Sequence, residues 1–486
     1  MMNLLNKYFF CSLILILLYG CNHSPKGEIT RLEKAPDIDP DYTGIVIPPN
    51  IAPMNFSING ESSAFCARFL CGTEQILEVF SKNGQISIPR KKWKKMLKEH
   101  PGQNLAIEVY ILNDHVWSQY NTINNKIAEE PVDPYLSYRL LYPGYEAYKE
   151  ISINQRCIEN FEEHSLIENS IADDNCVNCH TLNPGNNDNY LFHMRGTLGG
   201  TYIYNDKELT RINLKTKDMP NNAVYARWHP SGKFIAFSSN KTVQFFHSAD
   251  NKKVEVADVS SSLILYSIGE NEVKQIDFKD KERYMDTYPE WSPDGKYLYF
   301  CRATLSDEEF EYTKIKYNLY RISFDSTALT FGEPEMIFDA EKLDKSISFP
   351  RISPDGKYLV LTLHNYGCFP IWHKEADLYS IDLNDLTFKR LESNSDFTES
   401  YHSWSSNGKW LMFSSKRMDG LTARPFITYI DDNGNASKPF VLPQKDPEFY
   451  QNFLKTFNLP EFSTMKLKLN PGELRRAVKS EAIQSN

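Results

Sequence analysis

Short apolar runs separated by turn residues dominate this chain, and from residue 200 the alternation becomes a repeat. The segments "WHPSGKFIAFSS" from Trp228, "WSPDGKYLYFCR" from Trp291, "ISPDGKYLVLTL" from Ile352 and "WSSNGKWLMFSS" from Trp404 are four copies of one unit. Each predicts two strands joined by a tight turn, in which a glycine, mostly after Asp or Asn, supplies the positive φ the turn needs. A second strand pair follows each copy, as in "LYSIDLNDLTFKRL". Four strands per unit, with an aromatic or aliphatic anchor on the first, is the pattern of a β-propeller blade. A single large sandwich would not account for four copies of one turn. The pair "TYIYNDKELTRINL" precedes the first copy without inner strands of its own, and a late segment such as "STMKLKLN" is expected to complete it. Five blades are favoured, with four or six as alternatives.

Residues 46–157 alternate over "MNFSI", "ILEVFS", "LAIEVYIL" and "YLSYRLL", which predicts a β-sandwich-like domain. Its basic stretch "RKKWKKMLKEH" reads as a short helix or a charged connection. Residues 158–199 read as a separate segment, helical in spacing over "CIENFEEHSLIENS" and otherwise Asn/Gly-rich loop. The expected organisation is a signal over 1–20, a polar tether over 21–45, the sandwich, the 158–199 segment, a propeller over 200–445, and a C-terminal helix and closing tail over 446–486. The fold class is mainly β.

Composition narrows the setting. The 486-residue chain carries a formal net charge of −9 and has no long basic run, which excludes a phosphate-reading nucleic-acid binder. After Lys7, the apolar run "YFFCSLILILLY" is too short to span a bilayer. It ends in Leu18-Tyr19-Gly20-Cys21, which resembles the lipobox of bacterial lipoproteins. That resemblance implies cleavage before Cys21 and a lipid on its thiol. The alternatives are an ordinary secretory signal or an uncleaved anchor. All three place the chain outside the cytoplasm, in the periplasm or at the outer membrane. Nine cysteines are present. Cys66 and Cys71 are read either as a pair or as two buried thiols.

The chemistry concentrates in "DDNCVNCHTLNPG". Two thiols three residues apart can reach the two vinyl groups on one porphyrin edge, and the histidine that follows can serve as axial ligand. No second Cys-x-x-Cys completes a zinc ribbon, although zinc or a redox dithiol stays an alternative. The expectation is one covalent haem c on Cys176 and Cys179, with His180 on the iron. His193 is the favoured distal ligand and Met194 the alternative, both from "YLFHMRG". His164 is a weaker candidate. So short a segment cannot enclose a haem alone and needs walls from a neighbouring domain.

On the propeller, the connections over 239–261, 302–317 and 364–376 are long and share one face. His247, His364, His373 and His402 are expected to converge there and to hold a metal or small substrate, or to contact the haem. His229 lies in a turn on the opposite face. The repeats resemble TolB-like propellers, and "CVNCH", "QFFHSAD" and "IWHKEADLY" together resemble haem-bearing TolB-like propeller lipoproteins of Gram-negative bacteria. A more distant resemblance is to the propeller part of the hydrazine synthase alpha subunit. These resemblances imply a monohaem cytochrome lipoprotein that passes electrons to a redox partner protein. A haem-dependent redox enzyme, or a non-redox binding scaffold with zinc on the motif, are the alternatives.

Overall fold

The computed structural model describes residues 24–144, 150–184, 188–217, 219–248, 252–305 and 310–486. The signal, the lipobox and Cys21 lie outside the described residues, as does the side chain of Cys179. No helix among the described residues is long and apolar enough to cross a membrane.

Six sheets of four or five strands form the propeller, one more than the favoured five. Blade 1 contains Tyr135–Leu141, Ser152–Cys157 and Glu163–Glu168, with Thr456–Ser463 as its innermost strand. Blade 2 begins with Val177–Leu182 and continues through Tyr190–Met194, Gly200–Asn205 and Glu208–Asn213. Blades 3 to 6 start at Asn222–Trp228, Tyr284–Trp291, Ser346–Ile352 and Glu399–Trp404, as the four repeats require. Each innermost strand adjoins that of the next blade, and Thr456–Ser463 adjoins both blade 6 and blade 2, so the ring closes.

These sheets move three sequence-based boundaries. "YLSYRLL" belongs to blade 1 and not to the sandwich. "EHSLIE" is an edge strand and not a helix, because its neighbours on Ser152–Cys157 offer it a ladder. The cysteine–histidine motif is the innermost strand of a blade, so residues 158–199 are not a separate segment. The orphan pair is completed by that strand and by Tyr190–Met194. The late closing strand is Thr456–Ser463, and it closes blade 1 instead. The chain's last strand, Ile483–Gln484, only extends the outer edge of blade 2.

The turn chemistry holds in atomic detail. Gly232, Gly295, Gly356 and Gly408 have φ of 71°, 70°, 75° and 69°. At the second repeat, Ser292 Oγ donates to Asp294 Oδ1 at 2.6 Å and accepts from the Tyr297 amide at 3.0 Å. The same pair of bonds recurs at Ser353 and Ser405. The residue before the glycine therefore pins the turn, as an Asx-type side chain can.

Upstream, a seven-stranded and a three-stranded sheet form a sandwich-like domain that takes in Ile29–Arg31 and Ile38–Asp39, so residues 29–45 are part of this domain and not a tether, and the basic stretch makes its helix, Arg90–Glu99. Trp93, Met96 and Leu97 bury one face of that helix while its lysines stay outside. Cys66 and Cys71 are buried and unpaired. The sandwich shares one hydrophobic core with blade 6, where Trp410, Phe413 and Phe440 pack with Phe56, Phe69 and Trp93. Trp410 also donates its indole N–H to the Glu130 carbonyl at 3.1 Å. Trp410→Ala removes a fully buried side chain at that junction and is expected to cost about 3–5 kcal/mol. A thermal melt followed by circular dichroism should show a clearly lowered midpoint; an unchanged midpoint would mean that the two units fold independently.

Candidate functional site

All six innermost strands carry the same irregularity. The ladder slips between Val224 and Arg227, Thr287 and Glu290, Ser348 and Arg351, and Ser400 and Ser403. It slips likewise on the closing strand between Asn458 and Glu461, and on the motif strand between Asn178 and Thr181. Tyr225, Tyr288, Phe349, Tyr401 and Leu459 occupy five of these bulges, each with φ between 51° and 53°. A positive φ on a bulky residue is strained, and its repetition marks a position the ring requires. The backbone bend turns these side chains into the channel. The ring centroids of Tyr225 and Phe349 each lie 4.2 Å from that of Tyr288, and Tyr401 lies 5.0 Å from Phe349. In blade 2 the bulge holds Cys179 and His180.

Two residues further along each strand comes a second layer, which is ionic. Glu290 bridges Arg227 and Arg351, and Arg227 also meets Glu461 at 3.4 Å. Thr181, immediately after the motif, donates to Glu461 at 3.1 Å and accepts from Arg227 at 3.2 Å. Burial pushes the Glu461 carboxyl up, and the charges of Arg227 and Arg351 pull it back. Two cations and two carboxylates thus balance in the closed end of the channel. None of these four residues was singled out from the sequence.

Above the aromatic layer the channel widens into an open-mouthed cavity. Tyr225, Phe349, Tyr401 and Leu459 form its lower wall. Trp372, Phe369 and Lys416 stand on the side of blades 5 and 6, and Cys176, Asn178 and Arg195 on the side of blade 2. Cys176 is half-buried and forms no disulfide.

His180 lies behind this wall, between blades 2 and 1, close to Arg139. Its two ring nitrogens are buried and neither makes a hydrogen bond of normal geometry. Burial, with the nearby Arg139 charge, holds its imidazole down to about 4. The Ser137 backbone lies near enough to favour its protonated form slightly, and a buried imidazole without a bond of normal geometry is costly. His193 is the other imidazole of this kind. Its Nε2 is unpartnered, Nδ1 lies 3.4 Å from Thr201 Oγ1, and burial holds it down to about 3. The two have different neighbours. Asn178 pairs with His193 and Thr181 with Leu191, and His180 sits in the bulge between them, beside Arg139 and the Ser137 backbone of blade 1, whereas His193 lies against Thr201. Met194 pairs with Val177 and is fully buried in the core with Phe192 and Leu474. His164 is on the outer edge strand of blade 1.

Of the four propeller histidines, three meet. His247 Nε2 lies 2.7 Å from Glu255, which also accepts from Tyr366 and Tyr312. Tyr366 packs edge-on to His373, and His373 edge-on to His364. His373 Nδ1 is 3.0 Å from Glu375, and His364 Nε2 is 3.2 Å from Ser348 Oγ. The partners are tyrosines, a serine and single carboxylates. Among the described residues, no three His, Cys, Asp or Glu side chains are placed to hold a metal. His402 does not join them. It lies within an innermost strand, not in a loop, at the position His180 takes in blade 2, and donates from Nε2 to the Val360 carbonyl at 2.8 Å. The connection over 239–261 is largely strand: Phe234–Phe246 and Val254–Ser267 extend as a long hairpin over the mouth. His229, as expected, is a structural contact on the opposite face, 3.1 Å from the Gly295 carbonyl.

No family model and no curated protein matches the chain. Solved structures similar to it are β-propeller proteins. An oligogalacturonate lyase from Vibrio parahaemolyticus is 11% identical with a TM-score of 0.34, over 59% of this chain and 85% of its own. Kuenenia stuttgartiensis hydrazine synthase is 14% identical with a TM-score of 0.30, over 52% and 76%. The nidogen/laminin complex gives 7% and 0.39, over 68% and 100%. Likeness at this level bears on architecture alone, and the blades described above rest on their own ladders.

Burial holds the His402 imidazole down to about 3, and Nδ1 has no partner. The unfolded chain binds this proton near the ordinary histidine pKa of about 6.5, the folded chain only near 3. Stability from this residue is thus full above about 6.5 and falls with pH toward 3, by up to about 1.4 kcal/mol per unit. Urea unfolding at pH 6.5 and 5 should show a steeper loss for the wild type than for His402→Asn, by about 2 kcal/mol. Equal losses would contradict the buried neutral imidazole.

Proposed function

We propose that the chain is an exported, lipid-anchored c-type cytochrome whose single haem sits at the mouth of the propeller. Cys176 and Cys179 would hold the macrocycle through thioether bonds, and His180 would bind the iron. The observation that carries this reading is the pairing of a thiol on the cavity wall with a buried histidine whose two nitrogens are both unsatisfied. Bound haem supplies one-electron redox chemistry. The chain's own residues do the rest: the aromatic layer excludes water from below, and the ionic layer seals the channel. Polar groups such as Asn178 and Arg139, which bond each other, shape the wall beside the motif. Lipid on Cys21 would tether the domain to a membrane of the periplasm or outer membrane, and a redox protein would be its partner. The resemblance to haem-bearing TolB-like lipoproteins supports the same reading.

A second reading, a haem-dependent redox enzyme, draws support from one observation. His193 lies against Thr201 within blade 2 while His180 lies beside Arg139 of blade 1, so His193 is not already placed as a second ligand beside His180. The zinc-scaffold reading draws no such support, because no third and fourth ligand stand near the motif among the described residues.

Replacing Cys176 and Cys179 together by alanine should abolish covalent haem, read by peroxidase staining of a denaturing gel of the exported protein. A stained band from the double variant would overturn the assignment. For the distal side, His193→Ala and the volume-conserving Met194→Leu should each leave the ferric visible spectrum as in the wild type. A change of spin state in either variant would show that Tyr190–Met194 rearranges to reach the iron.

A further inference from the structure

Two blades round the ring from the motif strand, the cavity wall holds a lysine that forms no ion pair among the described residues. Lys416 is 3% exposed, and its ammonium lies 3.2 Å from the centre of the Trp372 ring. The contrast with its neighbour is direct: Arg417 meets the buried Glu399 carboxylate at 2.9 Å. Asp419, the acid that acts most on Lys416, is spent on the turn that follows, accepting from the Leu421 and Thr422 amides. A buried cation satisfied only by a π-face is poorly compensated. Burial accordingly pulls the Lys416 amine well below its ordinary range.

Two more cations share this cavity. Arg195 lies on the wall beside Cys176, and its buried Nε has no hydrogen-bond partner; Arg139 is on the wall too, also with a buried, unpartnered Nε. No Asp or Glu lies among the described lining residues. The cavity is thus cationic within a chain of net charge −9, while Tyr225, Phe349, Tyr401 and Trp372 give it flat aromatic surfaces. Cations on such walls select a ligand with a flat apolar body and anionic groups at its edge.

We infer that Lys416, in a cavity that Arg195 and Arg139 make cationic from the other wall, forms a carboxylate-binding site for a flat aromatic acid in the propeller mouth. The acid has two possible sources. If the haem reading holds, on which this source rests, the carboxylates are the porphyrin's own propionates, which leave the ring on the edge away from the thioether bonds. If it does not, they belong to a free aromatic acid. Lys416 acts as the electrostatic anchor, and Trp372 keeps its ammonium aimed into the cavity.

The test uses the full-length Cys176→Ala/Cys179→Ala protein, so that it does not depend on covalent attachment. Quenching of tryptophan fluorescence is measured with two probe pairs: mesoporphyrin IX against its dimethyl ester, and naphthalene-2-carboxylate against naphthalene-2-carboxamide. Each acid should bind at least about tenfold tighter than its neutral partner. Lys416→Met should remove that preference, and Lys416→Arg should retain most of it. Circular dichroism melts would confirm that the variants fold. A preference in the porphyrin pair assigns the site to the macrocycle, and a preference confined to the naphthalene pair assigns it to a free acid. Acid and neutral probes binding alike, or a preference that survives Lys416→Met, overturns the site. Loss of haem staining in the wild type would instead overturn only the haem reading.

Discussion

The structure depends on one strand that arrives late. Thr456–Ser463 enters the innermost position of blade 1, more than three hundred residues after the strand it pairs with. It closes the ring, since it adjoins blade 6 on one side and the motif strand on the other. It also places Leu459 in the aromatic layer and Glu461 in the ionic layer. Without Glu461, Arg227 and Thr181 lose a shared acceptor in the closed end of the channel, where an uncompensated charge is expensive. Closure of the fold and assembly of the channel are therefore one event.

From this follows the form of the candidate site. Each blade presents a bulge at the same height, and the bulge decides which side chains enter the channel. Five blades use it for aromatic rings or leucine, and blade 2 uses it for Cys179-His180. The cysteine–histidine motif thus stands in a repeat whose other copies make a hydrophobic plug. The mouth above that plug is walled by aromatic rings and cations, with the long hairpin of blade 3 over it.

Much of this architecture was legible in the sequence, for physical reasons that can be named. The Ser-x-Asp-Gly turns need a positive φ at glycine and a side-chain acceptor before it, so blades 3 to 6 stood out. Blade 2 did not, because "TLNPGNNDNY" replaces that turn, and blade 1 did not, because its innermost strand lies far along the chain. A finer alignment would have found both. "YARW", "YPEW", "FPRI" and "YHSW" share one register with "LPEF" and "CHTL", which identifies the six inner strands and the ionic layer together. The helical spacing over residues 157–170 misled because a short edge strand and a 3-10 turn can mimic it. Lys416 left no mark in the sequence, since only the fold shows that it is buried and forms no ion pair among the described residues.

One haem bound within the propeller mouth by the motif strand is the proposal on which the rest turns. Anomalous diffraction at the iron edge, on crystals of the full-length exported protein, tests it. The expected result is one iron peak per chain, beside His180 and inside the cavity bounded by Cys176, Tyr401 and Trp372. A protein without an iron peak, or with iron bound away from this cavity, would contradict it.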